Sequence, residues 1–185
     1  MLGSGTSSTS DVSAETATAS AKMLATPQSG LLVRCFAAGL RDEQILIQRG
    51  FLDLLVTHLP LHASVFTSTI TSSDLELLMT AASSVVARKD MSLNRRLWSW
   101  LLGPEPLPSA DDRPTSSGTD KGTAVARTEY FEKHGLKPLT NSILSLIKAD
   151  SKDAAEKVRP FRICLSLMDR WEIGGLVVPL VFLPA

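Results

Sequence analysis

The sequence is short of almost everything that announces a reaction. It holds two cysteines, three histidines, one tyrosine and three tryptophans in 185 residues. Cys35 and Cys164 lie far apart within apolar neighbours (Val33-Arg34-Cys35-Phe36 and Ile163-Cys164-Leu165), without the spacing of a metal knuckle. Both are expected to be buried free thiols, as suits a reducing compartment. Charge of one sign is also missing: 19 Lys and Arg balance 19 Asp and Glu. No net field recruits nucleic acid or an anionic membrane. Long apolar runs are absent too. The greasiest, Ile173 to Phe182, holds two Gly and one Pro, and it falls short of the ~18 to 20 residues that cross a bilayer. The N-terminus carries no basic n-region followed by an apolar core, so no signal peptide is read there.

Catalysis finds no support. His58 and His62 stand four apart, but Pro60 between them breaks the helical register, and His134 lies near a helix end. No nucleophile elbow or metal-type spacing accompanies them. They are expected to be solvated or locally bonded; no enzyme and no cofactor is expected. Gly174-Gly175 is no phosphate loop, since no strand precedes it and no Lys-Ser/Thr follows.

What is present is helical periodicity between two polar, low-complexity stretches. Twelve of the first 29 residues are Ser or Thr, a composition that buries too little surface to offset chain entropy, so residues 1–29 are expected to be a disordered tail or insertion. From Leu31, apolar residues recur at helical spacing (Leu31, Leu32, Cys35, Phe36, Leu40) up to a turn at Arg41-Asp42. A second helix, Glu43 to Leu59, is greasy nearly all round and therefore expected to be packed on more than one side until Pro60 ends it. Over Ser64 to Thr71, rich in Thr and Val, a strand reading competes.

Ser73-Asp74-Leu75-Glu76 reads as a capping box, and Leu75, Leu78, Met79, Ala82, Val85 and Val86 follow as one stripe. After Asp90-Met91-Ser92, a helix over Leu93 to Leu102 places Leu93, Leu97, Trp100 and Leu101 on one side, and Gly103-Pro104 stops it. Residues 104–123 contain four prolines and two glycines, the chemistry of a flexible surface excursion. Within it Ser109, Thr115, Ser116 and Ser117 are candidate phosphorylation positions, with an unselected spacer as the preferred alternative.

Order resumes near Val125, with Tyr130 and Phe131 as anchors and Gly135 as a helix end. The next helix, Lys137 to Ala149, is expected to bury Leu139, Ile143, Leu146 and Ile147. Ser151-Lys152-Asp153 then caps a segment in which Val158, Phe161, Leu165 and Met168 keep helical period to Arg170, with Pro160 as a kink or new start, and Trp171 to Phe182 follows almost without a loop. Short helices in succession without β-α alternation make the fold class all-α: a stacked, armadillo- or HEAT-like α-solenoid segment over 30–185.

Two clusters are candidate interaction sites. Arg95, Arg96, Trp98 and Trp100 crowd one short helix behind Asp90, and Arg and Trp are enriched at binding hot spots. The structural alternative puts Trp100 in the core and pairs the arginines with acids on adjacent helices. Asp169-Arg170-Trp171-Glu172 is either an exposed ion-paired surface or, preferred, a buried hinge between stacked helices in which Asp169 and Arg170 hold the turn, with Gly174-Gly175 permitting close helix approach. Arg88, Lys89, Arg95 and Arg96 form the patch on which direct membrane binding would rest.

Five blocks carry a resemblance. They are Gly30-Leu31-Leu32-Val33-Arg34-Cys35-Phe36-Ala37-Ala38-Gly39-Leu40-Arg41-Asp42, Gln48-Arg49-Gly50-Phe51-Leu52-Asp53-Leu54-Leu55, Asp90-Met91-Ser92-Leu93-Asn94-Arg95-Arg96-Leu97-Trp98, Leu101-Leu102-Gly103-Pro104-Glu105, and Ile163-Cys164-Leu165-Ser166-Leu167-Met168-Asp169-Arg170-Trp171-Glu172-Ile173-Gly174-Gly175. In order and approximate spacing they resemble the N-terminal region of the Dopey family, over about residues 30 to 185. Members of that family are far longer, and residues 1–29 match nothing in it that carries over. The resemblance implies a scaffold of endosome-to-Golgi traffic and of Golgi and endoplasmic reticulum organisation, cytosolic and peripheral on Golgi, trans-Golgi-network and endosome membranes. Implied partners are a large Sec7-related scaffold, an aminophospholipid flippase, kinesin light chain and a phosphoinositide membrane, and no nucleic acid.

Overall fold

The computed structural model describes residues 29–103 and 119–183. Among these it is all helix: α1 (Ser29–Leu40), α2 (Ile45–His58), a π-helical turn (Val65–Thr69), α3 (Ser72–Ser84), a 3-10 turn (Val85–Arg88), α4 (Met91–Leu102), α5 (Thr119–His134), α6 (Leu136–Lys148), α7 (Ala154–Leu167) and α8 (Trp171–Phe182). The expected tail over 1–29 lies outside the described residues except at its last position, and so do Ser109, Thr115, Ser116 and Ser117 of the expected surface excursion. α5 begins at Thr119, inside the stretch read as linker up to residue 123.

The helices stack in two rows. α1 packs on α3, α3 on α6 and α6 on α8, while α2 packs on α4 and α4 on α5; α1·α2, α5·α6 and α5·α8 contacts join the rows. α7 lies against α6, α8 and the 3-10 turn, so successive layers pack on one another along the stack, which is the solenoid arrangement. One continuous core runs through the stack, from Val33, Leu40 and Leu55 through Met79, Leu97 and Trp100 to Phe131, Ile143, Leu167 and Val177.

Local chemistry sets the boundaries. Thr71, not Ser73, caps α3: its hydroxyl accepts the Asp74 amide at 3.1 Å and donates to the Asp74 carboxylate at 2.9 Å. The same Ser/Thr-x-x-acid pattern simply begins two residues earlier, at Thr71-Ser72-Ser73-Asp74. Asp90 caps α4 and Asp153 caps α7 as the sequence leads one to expect. The competing strand over 64–71 is a π-turn instead. Ser68 and Thr67 hydroxyls donate back to the Ser64 carbonyl, Phe66 enters the core edge-on to Trp100, and no strand among the described residues offers a ladder for Thr and Val to join.

Several faces turn differently from their expected stripes. α1 buries Val33, Phe36, Ala37 and Leu40 and leaves Leu31, Leu32 and Cys35 outside, so only Cys164 is a buried thiol, with burial raising its pKa. α2 buries Gln48, Leu52 and Leu55, while Ile45, Leu46, Leu54 and Val56 remain exposed, so its greasy circumference is covered on fewer sides than expected. Ile147 at the end of α6 is exposed. α7 runs unbroken through Pro160 and buries Pro160, Ile163, Cys164 and Leu167, not the Val158, Phe161, Leu165, Met168 stripe, which faces out.

Candidate interaction surface

The α4 cluster is built from the turn that precedes it. Lys89 takes a left-handed conformation (φ 55°) that ends the 3-10 turn and reverses the chain into Asp90. The Asp90 carboxylate accepts the Ser92 and Leu93 amides at 2.9 and 3.0 Å and the Ser92 hydroxyl at 2.6 Å. The Ser92 hydroxyl bond above all, with the Leu93 amide second, holds the Asp90 carboxyl below the ordinary carboxylate range. Arg49 on α2 donates to the Ser92 hydroxyl at 2.8 Å, tying the turn to the neighbouring helix.

Arg96 is committed to the same seam. Its Nε meets the Asp53 carboxylate at 2.5 Å and its Nη1 donates to the Ser92 carbonyl at 3.0 Å, so it clamps α4 to α2. Trp98 is 6 % exposed and Trp100 1 %. This corrects the reading of Trp98 as a surface contact: its ring belongs to the core. Trp100 also takes the structural alternative, its indole N–H donating to the Leu59 carbonyl at 2.8 Å. Arg95 alone of the four stands exposed and makes no hydrogen bond or ion pair with another described residue. Within the basic patch Arg88 donates to the Asp42 carbonyl at 3.0 Å, which leaves Lys89 and Arg95 as its uncommitted cations among the described residues.

Farther along the stack, Asp169 and Arg170 form the turn between α7 and α8, with their amides bonded to the Ser166 and Leu167 carbonyls. Arg170 lies 3.9 Å from the largely buried Glu172. Trp171 projects outward. Gly174 supplies the close approach: a Cβ there would sit 2.7 Å from the Met168 Cα and 2.8 Å from the Leu167 carbonyl oxygen, whereas one on Gly175 meets nothing. The segment is a turn between stacked helices, but not the buried hinge expected: Asp169 and Trp171 are exposed and only Glu172 is buried, because the turn lies at the outer edge of α7 and α8. The fold does not bring it together with Arg95, since α5 stands between α4 and α8.

One grouping escapes sequence reasoning. His62 Nδ1 lies 3.0 Å from the Tyr130 hydroxyl, and the His134 ring sits 5.1 Å from that of Tyr130 and 6.1 Å from His62. Gly103 (φ 75°) makes room for the Tyr130 ring against the end of α4. These side chains line a cleft of about 540 Å³ with Leu102 and Lys133. Burial first, then Lys133 and His62, lowers the His134 pKa, and burial raises that of Tyr130. His58 is exposed and alone of the three histidines keeps the solvated position expected, whereas His62 is bonded across the fold to Tyr130 and His134 meets both by ring contact alone. Only the tertiary fold joins them, and no spacing in the sequence could have shown it.

Among the described residues no group of three or more His, Cys, Asp or Glu could hold a metal ion. No helix among them is long and apolar enough to cross a membrane.

Comparison with known proteins gives two adjoining matches. Residues 3–106 match the family model described as Dopey, N-terminal, and residues 130–185 match that of the DOP1 middle TPR domain. The first match takes in most of the Ser/Thr-rich stretch, which corrects the expectation that residues 1–29 match nothing in the family, and the second assigns 130–185 to the middle domain and not to the N-terminal region expected over all of 30–185. The gap between the two overlaps the Pro/Gly-rich stretch. Over 166 residues the chain is 55 % identical to Protein dop1 of Emericella nidulans, covering 85 % of this chain and 9 % of that protein. It is 40 % identical over 169 residues to Protein DOP1 of Saccharomyces cerevisiae (89 % of this chain, 10 % of that one) and 29 % identical over 174 residues to Protein DOP1B of Mus musculus (83 % and 7 %). The chain thus spans about a tenth of the length of the relatives it matches. No solved structure matches. With both family models matched in order along one helical stack, and a fungal relative more than half identical over most of the chain, the chain belongs to the Dopey (DOP1) family.

Proposed function

We propose that this chain is a non-catalytic scaffold or adaptor module of endosome-to-Golgi membrane traffic and of Golgi and endoplasmic reticulum organisation, working from the cytosol on Golgi, trans-Golgi-network and endosome membranes. The 55 % identity to a DOP1 protein carries this reading. The stacked helices support it, since such stacks present extended rigid surface in place of a reaction centre. Its partners on this reading are a large Sec7-related scaffold and an aminophospholipid flippase, with kinesin light chain as a further one. Arg95 is the candidate contact on α4, because Arg96 and Trp98 are already engaged within the fold; Asp169, Arg170 and Trp171 supply the second.

Affinity capture from a Golgi-enriched lysate tests it, comparing the immobilised chain with Arg95→Glu after circular dichroism shows both equally helical. The expected result is recovery of the Sec7-related scaffold by the native chain and its loss with the variant. Recovery by neither would remove the partner contact from this stretch. A second reading, a peripheral phosphoinositide-binding module, is favoured by one observation: Lys89 and Arg95 pair with no described residue. Flotation with phosphoinositide-containing liposomes separates it, and the absence of a lipid-dependent shift would end it.

A further inference from the structure

α7 is apolar on two faces. Ile163, Cys164 and Leu167 point into the core, while Val158, Phe161, Leu165 and Met168, at steps of three and four, form a second stripe exposed along the helix. A helix apolar on both sides is built to lie between two layers. Here the layer on the core side, made by α6, α8 and the 3-10 turn with an edge of α3, is in place. The second stripe continues onto α8, where Phe182 stacks on Phe161 (centroids 6.0 Å apart, planes at 24°) and Trp171 stands 66 % exposed. Leu165 in its middle is 68 % exposed. A joined apolar surface of this extent is not the scatter of single exposed residues common on monomers.

Its dimensions and charge indicate what covers it. The stripe spans eleven residues, from Val158 to the C-cap Met168, about 15 Å, close to the length of the 12- to 14-residue helices of the stack. Its exposed borders, Lys157, Arg162 and Asp169, are sparse and mixed in sign, unlike a patch that draws an anionic lipid surface. α6–α8 fall within the match to a TPR domain, a repeat architecture in which each unit buries its apolar face only against the next. The Emericella and Saccharomyces relatives carry about ten times the length matched here.

We propose that the face made by Val158, Phe161, Leu165, Met168, Trp171 and Phe182 is the seam on which a further antiparallel helix pair of the same polypeptide stacks: in the long relatives, the pair that follows the stretch aligned with 130–185. This rests on the family assignment and not on the trafficking role, so loss of partner capture leaves it standing.

Hydrogen exchange tests it, on this 185-residue chain and on the full-length Emericella relative, each with and without Leu165→Lys/Met168→Lys at these or the aligned positions. Both side chains are exposed, so in the short chain the double variant is expected to leave helicity and melting temperature unchanged. In the full-length protein the amides aligned with 158–168 are expected to exchange at least tenfold more slowly than in the short chain, and the variant to abolish that protection and open the next helices to protease. Equal exchange in the two proteins would overturn the proposal, as would protection that appears only on adding vesicles, or a stoichiometric dimer of either protein that the double variant dissolves.

Discussion

The indole N–H of Trp100 donates to the carbonyl of Leu59 at 2.8 Å, joining the middle of the stack to the end of α2. Leu59 precedes Pro60 and closes α2, where carbonyls lack intrahelical partners. Trp100→Phe keeps most of the apolar ring and leaves that carbonyl without its donor. It is expected to cost about 1–3 kcal/mol, read as a lower urea midpoint with unchanged slope. Trp171→Phe, at an exposed position, is the control and is expected to leave the midpoint in place.

How much of this was legible depends on how one-sided each helix is. α4 carries Asn94, Arg95 and Ser99 opposite Leu93, Leu97, Trp100 and Leu101, and that indicated stripe is buried, with Trp98 and Leu102 widening it. α1, α2 and α7 are apolar on more than one side, so periodicity names a helix but does not choose its inward face. That choice is tertiary: Gly39 admits the Phe51 ring edge-on to Phe36, and α1 turns accordingly. The candidate site was legible as residue types and illegible as contacts. Nothing local in the sequence pairs Arg96 with Asp53 or His62 with Tyr130.

The cap of α4 carries a pH dependence of fixed sign. Asp90 has its folded pKa depressed by Ser92 and Leu93, so its contribution to stability is fully present above the unfolded carboxylate value and is lost as pH falls through the folded one. Urea midpoints from pH 7 downward are expected to converge for the native chain and Asp90→Ala as the carboxyl range near 4 is crossed. A difference that stays constant with pH would mean that the carboxylate charge contributes nothing to the cap.

In the cleft beside α5 the sign runs the other way along the chemistry and the same way along the scale. His134 has its folded pKa lowered by burial, Lys133 and His62, so the folded state holds fewer protons on it than the unfolded chain does. Its neutral form favours folding above about 6.5, and that advantage declines as pH falls through the unfolded value. Lys133→Ala removes one of the causes and is expected to move the His134 titration upward, as followed by its imidazole proton resonances. No upward movement would exclude Lys133 as a cause of the depression.

Adjacent glycines on α8 are expected to respond to the same substitution with opposite sign. At Gly174 a methyl group meets backbone, the Met168 Cα at 2.7 Å and the Leu167 carbonyl, which cannot swing away as a side chain can. Gly174→Ala must therefore spread α8 from the end of α7, at about 1–3 kcal/mol for overpacking. At Gly175 the space is open, and alanine there removes freedom from the unfolded chain and improves helix propensity, a gain of about 0.4–1 kcal/mol. Paired thermal melts should place the two variants on either side of the native chain. Equal destabilisation by both would mean that the turn at Asp169-Arg170, and not the packing at Gly174, fixes how closely the last two helices approach.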